Sequence, residues 1–92
     1  MRIQTTLSEL SDQLGRAREE LRILEEQILF QNDVLDEAKT RMLVAETPLA
    51  DREYRIARDD LRRMEAERGR IRSSIVELQG EQDRLLDRML GE

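Results

Sequence analysis

Residues 7–42 read LSELSDQLGRAREELRILEEQILFQNDVLDEAKTRM and carry a seven-residue apolar repeat. One set of residues recurs every seven positions: Leu7, Leu14, Leu21, Ile28, Leu35 and Met42. A second set follows each of the first five by three residues: Leu10, Ala17, Leu24, Gln31 and Ala38. Residues at these two heptad positions, a and d, form the contact seam of a coiled coil. The stretch therefore predicts one long helix that needs a partner helix.

A second seam follows later in the chain and supplies a candidate partner. Its members are Tyr54, Ala57, Leu61, Met64, Arg68, Ile71, Ile75, Leu78, Gln82, Leu85 and Met89. Pro48, the only proline, cannot occupy a helix interior and disfavours helical geometry at Thr47. We therefore predict an all-α fold, an antiparallel two-helix coiled-coil hairpin formed by a single domain over residues 1–92. Two such hairpins could pair into a four-helix bundle.

Capping signals give the expected bounds of the two helices. Thr6 and Glu9 have the spacing of a capping box, so helix one is expected over about residues 7–45. The turn is expected over about 46–51 and helix two over about 52–90. Two starts of helix two remain open: Thr47 as N-cap before Pro48, or Asp51 as N-cap after a longer loop.

The register of the two helices decides which side chains meet. In an antiparallel pair, two residues that face each other across the seam have residue numbers whose sum is the same along the whole hairpin. The heptads allow a sum of 92 or of 99. A sum of 99 places Gln31 opposite Arg68, whereas a sum of 92 places Gln31 opposite Leu61. Because an unpaired buried polar group is costly, we favour 99 and with it the longer loop.

The charges of the two helices are unequal. Residues 19–46 hold eight acids and three bases, whereas residues 52–72 hold five acids and eight arginines. An acidic helix facing a basic one favours folding back over parallel self-pairing of helix one.

Composition excludes several classes of function. The chain has no cysteine and no histidine, which removes thiolate and imidazole metal sites, cysteine nucleophiles and disulfides. Its net charge of −5 argues against nucleic acid as the main partner. No histidine is present to activate Ser73 or Ser74, and there is no glycine-rich phosphate loop. We predict no catalytic residue, no bound metal, no cofactor and no enzymatic activity.

Other features bear on location and origin. No segment has the length and apolarity of a signal peptide or membrane span, so we expect a cytoplasmic protein without membrane contact. Fifteen of the sixteen basic residues are arginine, Lys39 being the exception, and this bias is typical of a GC-rich, bacterial genome.

Helix one has more apolar surface than a two-stranded seam uses. Ile23, Phe30 and Val34 fall on one flank of the seam and form the predicted partner-binding site. Two interpretations are open: long side-chain stems of helix two cover this flank, or another helix docks on it. That helix would come from a different protein or from a second copy of the chain.

The predicted tip of the hairpin is acidic and is a second candidate site, formed by Glu46, Leu49, Asp51 and Glu53. The sequence Glu53-Tyr54-x-x-Ala57, following an acidic tip, resembles the N-terminal coiled coil of the Gre transcript-cleavage factors. That resemblance implies a hairpin that enters the secondary channel of bacterial RNA polymerase. The acids of the Gre tip correspond here to Thr47 and Ala50, so cleavage activity is not carried over.

The predicted shape also resembles the two-helix anti-sigma factors of actinobacteria, which bind cyclic di-GMP between themselves and a sigma factor. Gln79 and Asp83 match the last two positions of that ligand motif. The earlier positions carry Arg68, Arg72 and Ile75 in place of Glu, Ser and Arg. The resemblance implies a ligand face over Arg68, Arg72, Gln79 and Asp83, but binding of a cyclic dinucleotide is not predicted.

These observations predict a non-enzymatic protein-interaction module. The first hypothesis is a small bacterial adaptor or regulator that docks on a larger partner, with transcription machinery named by resemblance. The alternative is a structural homodimer in which two hairpins form a four-helix bundle.

Overall fold

A computed structural model describes residues 2–91 as two α-helices. The first, α1, spans Arg2–Ala45, and the second, α2, spans Pro48–Gly91. The two helices pack against each other, and residues 2–91 contain no strand. The predicted all-α helical hairpin is confirmed.

The core of the hairpin lies along the two predicted seams. Every seam residue is buried or half-buried except Met89, which is exposed. Ala50 is also buried, and it continues the seam of α2 by one position before Tyr54. This pattern follows from the heptad repeat, because a and d side chains are the ones that a facing helix can cover.

α1 begins earlier than the capping box predicted. Thr6 lies inside the helix, where its hydroxyl donates a hydrogen bond to the carbonyl oxygen of Arg2 at 2.9 Å. Ile3 is half-buried and occupies the d position before Leu7. The helix therefore gains one further seam residue by starting at Arg2, and the expected start near Leu7 was wrong.

The turn consists of Glu46 and Thr47 alone, which is shorter than the predicted 46–51. The Thr47 hydroxyl oxygen accepts a hydrogen bond from the Ala50 amide at 3.1 Å, and Pro48 occupies the first helical position. Thr47 is therefore the N-cap of α2, and the Asp51 start is wrong. Glu46 has a φ of 52°, and its amide donates to the carbonyl oxygen of Met42 at 3.2 Å, which closes the end of α1.

The chain divides into two compact units, each of which contains a segment of both helices. The turn unit is Ile23–Arg68. The terminal unit comprises Met1–Arg22 and Gly69–Glu92, of which the structure describes residues 2–22 and 69–91.

Contacts in the turn unit define the register of the helices. The Gln31 amide Nε2 donates a hydrogen bond to the carbonyl oxygen of Ala57 at 3.0 Å. The Arg41 guanidinium Nε lies 3.7 Å from a carboxylate oxygen of Glu53. The numbers of these pairs add up to 88 and 94, which bracket 92. The favoured sum of 99 is therefore wrong for this unit.

The terminal unit shows the same register. Gln13 and Ala17 of α1 line one cleft together with Ser74 and Leu78 of α2. The four pairs across this cleft have numbers that add up to between 87 and 95, whereas a sum of 99 would place Gln82 opposite Ala17.

The error in register came from the assumption that Gln31 needs a polar side chain as its partner. Its amide instead reaches the backbone of α2 beside the small side chain of Ala57, and a carbonyl oxygen can accept a second hydrogen bond in addition to that of its own helix. Arg68 is half-buried and forms an ion pair with Glu65 at 3.8 Å. Both polar seam residues of the turn unit thus have partners without facing each other.

Candidate protein-binding surface

One side of the turn unit presents an apolar face that both helices form. Its members from α1 are Ile23, Phe30, Val34 and Val44, and its members from α2 are Leu49 and Ile56. Val34 is half-buried and the other five are exposed. They share the heptad positions c and g, which flank the seam on the same side of an antiparallel pair. The three residues predicted as a partner-binding site therefore belong to a larger surface.

Three clefts follow the apolar face. The first, of about 630 Å³, lies beside Ile23, Phe30 and Met64. The second, of about 300 Å³, has Val34 on one wall and Ile56 on the other. The third, of about 340 Å³, lies between Val44 and Leu49 next to the turn. Clefts with apolar walls are the places where side chains of a docking helix can insert.

An ion pair separates the second cleft from the third. Arg41 and Glu53 line both clefts, and their side chains are about half exposed. A surface pair of this kind contributes up to about 1 kcal/mol to folding stability. Its larger effect is on recognition, because it places one positive and one negative charge within the apolar face.

Phe30 is the most informative residue of this surface. Its side chain is 70% exposed, so the stems of α2 do not cover it. The neighbouring Leu29 is 69% exposed, but its b position directs it away from the apolar face. The two residues therefore match in exposure and differ in the side of the helix on which they lie.

Ile56 was missed because the prediction considered the flank of helix one alone, whereas Val44 lies on that flank and was not included. Both occupy c positions in their own heptads, so the signal was present in the sequence. The contribution of Ile56 becomes visible only when the register is known, because the register brings it level with Val34 rather than with residues farther along α1.

The predicted tip residues do not converge on one site. Glu53 pairs with Arg41, and Asp51 forms an ion pair with Arg55 at 3.2 Å. Glu46 is exposed in the turn, and Leu49 belongs to the apolar face. Tyr54 of the Gre-like motif is half-buried, with the guanidinium carbon of Arg58 at 6.0 Å from its ring centre. Within residues 2–91, no group of three or more acids could hold a metal ion.

The residues of the predicted ligand face fall in different units. Arg68 belongs to the turn unit and pairs with Glu65. Arg72, Gln79 and Asp83 belong to the terminal unit, where Gln79, like Arg72 and Asp83, lies on the exposed surface of α2.

Comparison with known proteins gives no family for this chain. No family model, no curated protein and no solved structure matches it. Over the described part of the chain, neither helix has a stretch long and apolar enough to cross a membrane.

Proposed function

We propose that this protein is a non-enzymatic protein-interaction module that binds another helical surface with its apolar face. The observation that carries the proposal is the exposure of Phe30 on a face that also holds five other apolar residues and three clefts. Hydrophobic residues scattered singly over a surface are ordinary, whereas a contiguous apolar patch is typical of an interaction site.

The exposed side chains of this face are a source of binding free energy. Fully burying one Val, Leu, Ile or Phe side chain contributes about 1.5–3 kcal/mol. Five of the six residues are exposed to water, so a docking helix would recover a large part of that amount at each of them. The clefts give this face concave sites into which side chains of a docking helix can insert.

The resemblances noted in the sequence extend the proposal to a class of partner. A hairpin similar to those of Gre factors and anti-sigma factors would be a small bacterial regulator in the cytoplasm that contacts the transcription machinery. The apolar face would make that contact, with the exposed Glu46 of the turn as the alternative.

The proposal is tested with a matched pair of variants, Phe30→Asp and Leu29→Asp. Both introduce a charge at an exposed position of α1, but only the first lies on the apolar face. We expect Phe30→Asp to abolish association with other helical chains, measured by sedimentation and co-purification, while Leu29→Asp binds as the parent does. Circular dichroism should show the same helix content in both. Loss of helicity in Phe30→Asp alone, or equal binding by the two variants, contradicts the proposal.

A further inference from the structure

We infer that the apolar face binds the same face of a second copy, with both turns at the same end of a four-helix bundle. The inference rests on the proposed function and names the occupant of the surface. It concerns the turn unit, where the observations that support it are charge complementarity and the positions of the apolar residues along the two helices.

Two twofold arrangements can bring this face onto itself. A twofold axis parallel to the helices places α1 of one copy on α2 of the other, with the turns together. An axis perpendicular to the helices places α1 on α1 and sets the turns at opposite ends. In both, every helix is antiparallel to the helix it faces, so the charges and side chains decide between them.

The overall charge of each helix favours the arrangement with the turns together. Within the turn unit, the α1 segment holds five acids and two bases, whereas the α2 segment holds six acids and six bases. Stacking α1 on α2 of the second copy therefore keeps the two acidic segments apart. Stacking α1 on α1 would instead bring the acids Glu26, Asp33 and Glu37 of one copy against those of the other. Glu37 occupies the same c position as Phe30 and Val44, and Glu26 and Asp33 occupy the adjacent f position.

The edge of α2 carries the complementary residues. With the observed register, residue n of one copy lies level with residue 92 − n of the other. Glu26 is then about one helical turn from Arg63 of the second copy, and Glu37 is about one turn from Arg52. Asp59 lies on the same edge of α2 and pairs within its own chain with Arg58 at 3.4 Å.

The ion pair inside the apolar face is also self-complementary in this arrangement. Arg41 of one copy comes level with residue 51 of the other, next to Glu53. Each Arg41 then lies beside the Glu53 of both copies, and the two intrachain pairs become a cluster of four alternating charges. A cluster of alternating charges satisfies groups that docking removes from water.

The apolar residues meet in the same geometry. Val44 comes level with residue 48 of the second copy and so lies beside Leu49, while Val34 lies beside Ile56. The clefts between Val44 and Leu49 in the two copies thus face each other across the axis. Charge and apolar contacts therefore select the same arrangement.

The arrangement is tested by disulfide trapping, for which the chain is suited because it has no cysteine. Val44→Cys and a tagged Leu49→Cys are mixed as separate chains in a glutathione redox buffer. A disulfide requires Cα atoms within about 7 Å, so only adjacent side chains are trapped. We expect the 44–49 cross-link between chains. The control pair, Ile23→Cys with tagged Val44→Cys, reports the arrangement with the turns at opposite ends, and its preferential cross-linking would overturn the inference.

Sedimentation of the full chain over a wide concentration range separates this inference from the proposed function. A mass of two chains that becomes one chain in Phe30→Asp, but not in Leu29→Asp, supports both. A mass of one chain at all concentrations, with Phe30-dependent binding of other proteins, overturns the inference that a second copy binds the face. The proposed function is then still supported. A mass of one chain without any Phe30-dependent binding overturns both.

Discussion

The turn unit and the terminal unit use the same heptad repeat and differ in how completely it is buried. The turn unit holds seven buried residues, among them Ile28, Gln31 and Leu61. In the described part of the terminal unit only Leu10 and Leu14 are buried, and the seam residues of its α2 segment are half-buried or exposed. A periodic pattern thus predicts which residues face the partner helix, whereas the degree of burial depends on the small residues that let the helices approach.

Small residues explain much of this difference. Ala38, Ala50 and Ala57 are all buried in the seam of the turn unit, and alanine allows the backbones and the neighbouring large side chains to come close. The α2 segment of the terminal unit has no alanine at all. The four predictions that follow test this contrast, beginning with the largest effect.

Truncation of a core residue should cost more in the turn unit. We expect Ile28→Ala to lower the free energy of unfolding by about 3 kcal/mol, because the side chain is buried and its removal leaves a cavity. Ile75→Ala, at a half-buried seam position of the terminal unit, should cost about half as much. Urea denaturation at one fixed protein concentration measures both. Equal losses would mean that the two units are equally well packed.

The two seam glutamines provide a polar version of the same comparison. Gln31→Ala removes a buried hydrogen bond to Ala57 and should cost about 1–2 kcal/mol. Gln82→Ala, at a half-buried position of the terminal unit, should change stability by less than about 0.5 kcal/mol. Gln31→Leu should keep the stability while loosening the register, which the cross-linking of neighbouring cysteines detects. A fixed register in Gln31→Leu would show that the apolar seam alone sets the alignment.

Two threonines that look alike in the sequence should respond differently. Thr47 caps α2 through its bond with the Ala50 amide, and Thr47→Ala should cost about 1 kcal/mol. Thr6 bonds back to Arg2 from within α1, so Thr6→Ala should lie within about 0.5 kcal/mol of the parent. Thermal unfolding compares the two. A larger effect at Thr6 would restore the capping box and contradict the helix start at Arg2.

The smallest effects concern backbone conformation, and both substitutions should be stabilising. Glu46→Gly removes the steric cost of a left-handed backbone conformation in the turn and should raise the free energy of unfolding by about 0.5–1 kcal/mol. Gly15→Ala, inside α1 of the terminal unit, should contribute about the same, because a Cβ there has no atom within 4 Å. Melting temperatures at equal concentration provide the test. A destabilising Gly15→Ala would mean that this surface of α1 is in contact with another chain.

The seam and the hairpin were predictable from the sequence because both follow from the apolar a and d pattern, which recurs in successive heptads. The register was not, because it depends on one contact between the Gln31 side chain and a backbone carbonyl, which side-chain matching does not consider. The length of the turn followed the register, so the favoured loop was wrong as well. Phe30 was identified on the flank of helix one, whereas Ile56 required the alignment of the two helices.

The two-residue turn at Glu46 and Thr47 has a consequence for the order of folding. Contacts beside the turn join residues that are near in sequence, as in the pair Arg41 and Glu53, whereas the terminal unit brings Ala17 near Ser74. The entropy lost in closing a loop rises with the length of the loop. The helices should therefore pair first beside the turn, and pairing should then extend towards the chain ends. The apolar face lies in the segment that folds first, so a nascent hairpin presents its binding surface before its termini have paired.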